Sequence, residues 1–258
     1  MGSEKNTFSL IILITVGCFL LLGICLEGIS DEDLAGHWSL DDGAGETVKD
    51  TSGNGNDGEI EGKGNWVAGI LKGALELRAE EKGKVKIPSN VTLNATTEVT
   101  LCAWIKPISI YDGGDWKLTN TVIGKAHVYY LTINEKGNLQ GYLYGPQPQE
   151  WVVGKSNLNK HIGDWVHVAA VYDGSNHILY VDGNQDISVA KKGDIVVTND
   201  DVYLGWVDYD RYIDGAIDET MIWTRGLSEK EIKDLVAAKA VFPQDKLTVS
   251  WGKLKEGN

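Results

Sequence analysis

The sequence is poor in cysteine, proline and basic residues, and each shortage limits what the chain can be. It has 258 residues with 3 Cys and 5 Pro, and 24 Lys and Arg stand against 37 Asp and Glu, which leaves a net charge of −13. A chain this acidic lacks the basic surface that phosphate backbones require, so nucleic acid is excluded as a class of partner. Its carboxylates favour solubility or the binding of hard cations instead.

Two of the three cysteines lie in one apolar stretch near the N-terminus. Residues 8–26 are almost entirely apolar and contain Cys18 and Cys25, so Cys102 is the one cysteine left for the folded part. A single cysteine cannot form an intrachain disulfide, and the stability of the domain must come from its core. We predict that Cys102 is a small buried side chain and not a nucleophile.

The apolar stretch predicts export. It is long enough for the hydrophobic region of a signal peptide or for a marginal membrane span. Lys5 precedes it, whereas Asp31, Glu32 and Asp33 follow it, and this asymmetry places the folded part outside the cytoplasm. We assign residues 1–30 as a signal peptide or an N-terminal membrane anchor, with lipoprotein processing as a third alternative. The predicted protein is extracytoplasmic, either secreted or anchored by this segment.

The remainder of the chain has the pattern of an all-β protein. It is rich in Gly, Trp and Tyr, with 31, 9 and 10 residues in the whole sequence, which is typical of many short strands joined by turns. Residues 99–107 and 165–172 are apolar on both alternating faces, so each predicted strand must be covered on both sides. Asp173-Gly-Ser-Asn176 is a turn signal, and we place the hairpin around it at the centre of a β-sandwich. Further strands are predicted at 129–134, 139–144, 151–153, 194–198 and 201–205.

One short helix closes the predicted fold. Ser228-Glu-Lys-Glu231 has the spacing of a capping box, and Ile232, Leu235 and Val236 follow at helical spacing. Residues 242–258 continue beyond this helix as a C-terminal tail.

Four motifs occur in order along the chain. They are Trp38-Ser-Leu-Asp41, Asp50-Thr-Ser-Gly-Asn-Gly55, the pair Tyr172-Asp-Gly174 and Tyr180-Val-Asp-Gly183, and Gly215-Ala-Ile-Asp-Glu219 followed by Ile222-Trp223 and Leu227-Ser228. Together they resemble the laminin-G-like (LamG-like) jelly-roll domains of the concanavalin A-like lectin/glucanase superfamily. The resemblance implies one domain over residues 31–241, a jelly-roll β-sandwich of two antiparallel sheets with one short C-terminal helix.

The resemblance also implies a structural calcium ion. In members of the family that hold calcium, the acid of the first Asp-x-Ser-Gly loop and the Asp of the Ile-Asp-Glu motif come together. These positions are Asp50 and Asp218 here, with Asn54 or a glycine carbonyl completing the ligand shell and Glu219 as a second-rank candidate. Short oxygen-bearing side chains and glycine carbonyls are ligands that Ca²⁺ prefers. The alternative is that the Asn-Gly repeats only form turns.

Aromatic side chains of the loops and of the central strands are the candidate ligand-binding residues. Exposed aromatic rings are surfaces on which sugar rings stack. The candidates are Tyr111, Trp116, Tyr142, Tyr144 and Trp151. Because most aromatic residues of a sandwich lie in its core, a core position is the alternative for each of them.

These observations predict a non-catalytic recognition module that binds a glycan or another cell-surface polymer. Glycoside hydrolysis needs paired carboxylates, which the related β-glucanases carry as Glu-x-Asp-x-x-Glu or Glu-x-Asp-x-Glu, and neither string occurs in this sequence. A glycoside hydrolase is therefore disfavoured. The alternative is a protein-binding, adhesion or structural module of the cell surface, whose partner is a surface protein. We expect contact with a membrane only through the N-terminal segment.

Overall fold

The computed structural model describes residues 31–110, 120–209 and 211–241. The predicted N-terminal segment, the C-terminal tail and the candidates Tyr111 and Trp116 lie outside the described residues. The strands are β1 (Leu34–Trp38), β2 (Thr47–Val48), β3 (Gly58–Glu61), β4 (Gly64–Ala68), β5 (Gly73–Leu77), β6 (Lys84–Ile87), β7 (Val99–Pro107), β8 (Asn120–Lys125), β9 (Tyr129–Ile133), β10 (Asn138–Leu143), β11 (Val152–Asn157), β12 (Val166–Tyr172), β13 (Asn176–Val181), β14 (Asn184–Ala190), β15 (Val202–Leu204) and β16 (Gly215–Trp223). The helix α1 spans Glu229–Val241, and short 3₁₀ turns lie at Asp31–Asp33, Ala79–Glu81, Val91–Leu93 and Leu158–His161.

The strands form two antiparallel sheets of eight strands each. Sheet A has the order β14-β13-β12-β7-β16-β5-β4, with β1 also paired to β16, and sheet B has the order β11-β10-β9-β8-β15-β6-β3-β2. The apolar core includes Leu101 and Val168 of sheet A and Leu131 and Leu143 of sheet B. An all-β jelly-roll sandwich with one short C-terminal helix is therefore confirmed.

β7 and β16 form the middle of sheet A. Along β7, Leu101 and Ile105 belong to the core, while the alternate residues Cys102 and Trp104 are buried on the other side of the sheet. There α1 covers them, with Leu235 lining the same small space as Cys102 and Trp104. The prediction that this strand is covered on both sides is confirmed. Cys102 is buried as predicted, and burial raises the pKa of its thiol.

α1 begins at the predicted capping box. Ser228 donates its backbone N–H to the Glu231 carboxylate at 2.8 Å, and its hydroxyl lies 2.7 Å from the same carboxylate. Arg225 holds the other oxygen of Glu231 at 2.6 Å. Glu231 in turn donates its backbone N–H to the Ser228 hydroxyl at 3.3 Å, so the box satisfies two backbone donors that the start of a helix leaves unpaired. None of the helices in the described part of the chain combines the length and the apolar character of a membrane span.

The Ile-Asp-Glu motif lies at a β-bulge in β16. Asp218 is opposite Trp104 and Met221 is opposite Cys102, so β16 has one residue more than β7 over this interval. Glu219 takes a left-handed φ of 44°. A bulge redirects side chains, and here Asp218 is fully buried while Glu219 reaches His37 of β1, with 2.7 Å between Oε2 and Nε2.

The predicted hairpin lies toward one edge of sheet A and not at its centre. β12 and β13 pair through the turn at 173–176 as predicted, but only β14 lies beyond β13. The centre of the sheet is β7 and β16, because these two strands connect the hairpin side of the sheet to the β5 side.

The predicted strand at 194–198 is wrong. Ile195 donates its backbone N–H to the carbonyl of Thr96, and Val196 donates to the carbonyl of Tyr144. The segment therefore bonds to two different parts of the chain in turn, so no continuous ladder forms there.

A carboxylate joins the edge strands of the two sheets. Asp186 of β14 accepts hydrogen bonds from the backbone N–H groups of Lys155 and Ser156 on β11, at 2.7 and 3.0 Å, and from the Ser156 hydroxyl at 2.8 Å. Gly154 leaves the space for this contact, because a Cβ there would lie 2.2 Å from the Asp186 carboxylate. An unpaired sheet edge is a template for aggregation, and this contact covers part of one.

We predict that acid destabilises the domain through two buried histidines. Burial lowers the pKa of His167 to about 4, and burial together with the charge of Lys191 lowers that of His177 to about 3. The unfolded chain takes up both protons near pH 6.5, so it binds more protons than the folded chain below that pH. The contribution of these two histidines to the free energy of unfolding should therefore fall as the pH falls from 6.5 toward 4, by up to about 1.4 kcal/mol per pH unit for each histidine.

Urea unfolding at pH 7.0 and at pH 4.5 measures this loss. His177→Leu removes one of the two groups and should lose less stability between the two pH values than the unsubstituted chain. An equal loss in both proteins would contradict the assignment.

Candidate binding site

Aromatic residues on the outer face of sheet B form the candidate site. Where β9 pairs with β10, Tyr130 lies opposite Tyr142. The neighbours Leu131 and Leu143 belong to the core. Because successive side chains of a strand point to opposite faces, Tyr130 and Tyr142 project outward together.

Four rings pack against one another here, those of Tyr130, Tyr142, Tyr144 and Trp151. We call the cavity that they line, together with the residues around it, the aromatic cleft. The Tyr142 centroid lies 4.9 Å from those of both Tyr144 and Trp151, and the Trp151 centroid lies 5.9 Å from that of Tyr130. Tyr130 is buried at the base, where burial raises the pKa of its phenol, and the other three are half-buried. Edge-to-face and stacked pairs contribute about 0.5–1.5 kcal/mol each beyond burial. The rings therefore hold one another in place while part of their surface faces solvent.

A buried lysine holds the loop that precedes Trp151. Nζ of Lys191 donates to the carbonyls of Pro148 and Glu150 at 2.5 and 2.8 Å, and the residue is 1% exposed. Burial lowers the pKa of this ammonium group. A buried charge is tolerated only where its hydrogens are bonded, so Lys191 and these carbonyls depend on each other. Lys191 is thus a positioning residue for Trp151.

One wall of the cleft is the crossing segment, residues 206–209, 211 and 212, which lies over the outer face of sheet B. Val207 of this segment is fully buried, and it lies directly over Gly124 of β8. A Cβ at position 124 would be 2.5 Å from Cβ of Val207. Gly124 therefore gives the crossing segment the space to rest on the sheet. Within the segment, Trp206 donates its indole N–H to the Tyr209 carbonyl at 2.9 Å.

The crossing segment also brings polar groups to the cleft. Asp208 accepts a hydrogen bond from the Tyr130 hydroxyl at 3.1 Å, and its other oxygen lies 3.2 Å from the Arg211 guanidinium. That guanidinium is 5.8 Å from the Tyr130 ring and 6.0 Å from the Trp151 ring, within the range of cation–π attraction. The aromatic cleft therefore carries one cation and one anion that are paired with each other.

The cleft has a volume of about 200 Å³. Aromatic faces beside a few fixed polar groups are typical of binding sites for small polar molecules. Among the described residues that line it, Asp208 is the only carboxylate, whereas glycoside hydrolysis needs two at a defined separation. Its lining is His127, Tyr130, Tyr142, Tyr144, Trp151, Asp208, Tyr209 and Arg211.

The structure brings together three of the five predicted ligand residues, Tyr142, Tyr144 and Trp151. The other two lie outside the described residues. The sequence analysis missed Tyr130, although its place opposite Tyr142 follows once β9 and β10 are paired in register. It also missed four further lining residues, for which no periodic pattern was available: His127, Asp208, Tyr209 and Arg211.

Of the predicted calcium ligands, Asp50 and Asn54 are occupied by the backbone. One Asp50 oxygen accepts from the N–H groups of His37 and Ser52, and the other accepts from the N–H of Asn56, at 2.8 to 3.1 Å. A carboxylate has about four lone-pair positions, so little of Asp50 is left for a metal. Asn54 directs its amide donors at the carbonyls of Leu34 and Ala35. Asp50 therefore fits the shaping of the loop better than the binding of an ion, whereas the Asn54 bonds use its amide nitrogen and not Oδ1, the atom that would bind an ion.

Asp218 fits a cation better than the other two. It is fully buried and accepts one N–H from Ile70 and one from Glu219, each at 2.7 Å. Burial and the nearby charge of Glu219 raise the pKa of Asp218 to about 8. A cation in contact would relieve this cost, and lone pairs remain for it. The described residues contain no group of three or more His, Cys, Asp or Glu arranged to hold a metal. Calcium binding stays a prediction.

Comparison with protein families gives a match over more than half of the chain. The Laminin_G_3 family model, described as the concanavalin A-like lectin/glucanases superfamily, matches residues 79–233. No curated protein matches the chain.

Several solved structures share the fold. The binding domain of Paraclostridial Mosquitocidal Protein 1 has a TM-score of 0.65 and 16% identity, over 81% of this chain and 52% of that one. Domain 4 of AbnA, a GH43 extracellular arabinanase from Geobacillus stearothermophilus in complex with arabinotriose, has a TM-score of 0.61 and 21% identity, over 79% of this chain and 98% of that one. The binding domain of botulinum neurotoxin DC in complex with SialylT has a TM-score of 0.61 and 17% identity, over 81% and 52%. The chain spans about half the length of the two toxin domains.

We predict that Gly124→Ala displaces the crossing segment. The added methyl group would meet Val207 at 2.5 Å, and overpacking of this kind typically costs about 1–3 kcal/mol. Urea unfolding of the single variants and of the double variant Gly124→Ala/Val207→Ala measures the coupling between the two positions. The double variant should lose less free energy of unfolding than the sum of the losses in the two single variants. Additive effects would show that these residues do not constrain each other.

Proposed function

Because the chain belongs to the Laminin_G_3 family of the concanavalin A-like lectin/glucanases superfamily, we propose that it is a non-catalytic recognition module whose aromatic cleft binds carbohydrate. The packed group of Tyr142, Tyr144 and Trp151 on a rigid sheet is the observation that carries this proposal. Sugars present apolar C–H faces and a rim of hydroxyl groups. The half-buried rings suit the faces, while the Asp208 carboxylate and the Arg211 guanidinium suit the hydroxyls.

Two of the similar structures support a carbohydrate as the class of ligand. Domain 4 of AbnA is a complex with arabinotriose, and the botulinum neurotoxin DC binding domain is a complex with SialylT. The first comparison is the more informative, because 98% of that domain is covered, against 52% of the toxin domain. A neutral sugar also suits this chain, because its net charge of −13 disfavours acidic polymers.

The proposal of a non-catalytic role rests on the chemistry of the cleft. Hydrolysis of a glycosidic bond takes an acid and a second carboxylate across the bond. Asp208 is the one carboxylate in the described lining, and it is paired with Arg211 and bonded to Tyr130. It is therefore suited to orienting a ligand. We further propose that the module acts outside the cytoplasm, on the basis of the apolar residues 8–26 and the acidic residues after them.

A glycan array probed with the full-length chain, followed by titration of the best ligand, tests the proposal. We predict that Trp151→Ala and Tyr142→Ala each weaken binding at least about tenfold, the equivalent of about 1.4 kcal/mol, because each removes a ring face of the cleft. Val91→Ala is the matched control, since Val91 is 80% exposed in a 3₁₀ turn elsewhere on the surface.

Two outcomes of these binding experiments would contradict the proposal. If the folded chain binds none of the printed glycans, the carbohydrate proposal fails and a surface protein becomes the partner to seek. If glycans bind but the two ring variants bind as tightly as the unsubstituted chain, the aromatic cleft is the wrong site.

Calcium enters the proposal as a structural ion at Asp218. We predict that Ca²⁺ raises the melting temperature relative to chelator, since a ligand at a hundred times its Kd adds about 2.7 kcal/mol to the stability of the state that binds it. Asp218→Asn should abolish this response. Asp50→Asn should lower the melting temperature in both conditions and keep the response, because Asp50 serves the backbone of its loop. If the unsubstituted chain has the same melting temperature with calcium and with chelator, the proposal of a structural calcium ion fails.

A further inference from the structure

A second group of aromatic residues lies on the same sheet, around a lysine. The Lys84 ammonium nitrogen is 4.5 Å from the centroid of the Trp206 ring and 5.9 Å from those of both Tyr203 and Tyr212. We call these four residues the lysine cluster. All three rings are half-buried, so each keeps part of its surface toward solvent. Within the described residues, the hydroxyl groups of Tyr203 and Tyr212 make no hydrogen bond, which leaves them for an external partner.

The lysine cluster and the aromatic cleft share one row of the sheet. Gly124 of β8 is the direct pairing partner of Tyr130 on β9 and of Tyr203 on β15. Directly paired residues of antiparallel strands project from the same face, so these tyrosines lie on the outer face on either side of Gly124. Two strand spacings separate them, which is roughly 10 Å.

The crossing segment divides this row into two parts and contributes to both. Val207 occupies the space above Gly124. Trp206 and Tyr212, near the ends of the segment, belong to the lysine cluster, whereas Asp208 and Arg211 belong to the aromatic cleft. The segment is therefore a ridge with an aromatic surface on each side.

The charges along the row are paired in place. Lys84 lies 3.3 Å from Glu61, Lys86 lies 3.2 Å from Asp201, and Arg211 lies 3.2 Å from Asp208. A face with paired charges and neutral hydroxyl groups is not complementary to an ionic polymer. It is complementary to a neutral polyol, which offers C–H faces to rings and hydroxyl groups to phenols.

We propose that the lysine cluster is a second subsite, and that the ligand is a neutral linear oligosaccharide long enough to lie over Val207 and contact both aromatic surfaces. This inference rests on the proposed carbohydrate function and extends it from the presence of a sugar to its length and charge. Two linked contacts on one ligand add avidity without new chemistry, provided that the ligand spans both sites. Affinity must therefore rise with chain length once the oligosaccharide reaches past the ridge.

The test is calorimetric titration of the full-length chain with neutral arabinan-, xylan- and glucan-derived oligosaccharides, from disaccharide to hexasaccharide. The longest members of the series that binds should bind at least about tenfold more tightly than the shortest. Tyr203→Thr and Tyr212→Ser should each reduce this gain, and Tyr203→Thr should leave the affinity for the shortest binding member unchanged. Trp151→Ala should weaken short and long ligands alike.

The variants are chosen to leave the crossing segment in place. Trp206 is not substituted, because its indole N–H holds the Tyr209 carbonyl and its loss would disturb both surfaces. Threonine at position 203 keeps a residue type that favours strands, and Tyr203→Phe, which removes only the hydroxyl group, should retain part of the gain. Circular dichroism and melting temperature verify that each variant is folded.

Each result separates the two proposals. Binding that does not depend on length, with Tyr203→Thr and Tyr212→Ser unchanged, overturns the second subsite and leaves the carbohydrate function standing. A folded Tyr203→Thr variant that loses affinity for short and long ligands equally also overturns it, since position 203 would then act through the aromatic cleft. Absence of binding by every series overturns the neutral linear oligosaccharide as the ligand, and the glycan array then decides whether the carbohydrate function falls with it.

Discussion

The alternation of side chains along the strands of sheet B is the constraint on which the candidate site depends. Because Leu131 and Leu143 are committed to the core, Tyr130 and Tyr142 beside them have to project from the outer face. The packing between the sheets thus fixes the backbone that carries the rings, although the rings do not contribute to that packing. A ligand that meets groups already held by strands causes little further loss of conformational freedom in the protein, which favours affinity.

Charged side chains hold loops and strand edges of this sandwich. Loops carry backbone groups that have no partner in a sheet. Asp50 accepts two backbone N–H groups of its own loop and one from His37 of β1, Asp186 accepts two from the edge of the opposite sheet, and Lys191 donates to two carbonyls before Trp151. In each case one charged side chain satisfies several backbone groups at once, and hydrogen bonds to charged groups are the stronger ones. Asp50, a residue of a type that suggests metal binding in the sequence, thus has a role in loop geometry here.

Sequence patterns predicted the features that depend on local periodicity. The doubly apolar strand around Cys102, the strands of the meander and the capping box at Ser228 all follow from the spacing of residues along one segment. The position of a strand within the sheet does not follow from such spacing. The hairpin at 166–181 lies off centre because β7 and β16, which come from distant parts of the chain, lie between the hairpin and β5 in the sheet. The lining contributed by Asp208 and Arg211 depends on the absence of a side chain at Gly124, a relation between two residues that periodicity along either segment cannot reveal. The segment at 194–198 has the composition of a strand, but its backbone partners lie on unrelated parts of the chain.

The pairing of β1 with β16 has a consequence for the way in which the chain reaches this structure. Leu34 is opposite Trp223, a sequence separation of 189 residues (223 − 34), and β7 in the middle of sheet A also needs β16 beside it. Non-local pairing of this kind is slow, since loop closure must precede the contacts that reward it. During synthesis the apolar residues of β1 and β7 emerge long before their partner strand exists, and they remain open to incorrect association in that interval. The acidic composition of the chain, through like-charge repulsion between nascent chains, protects it during the delay that its own topology imposes.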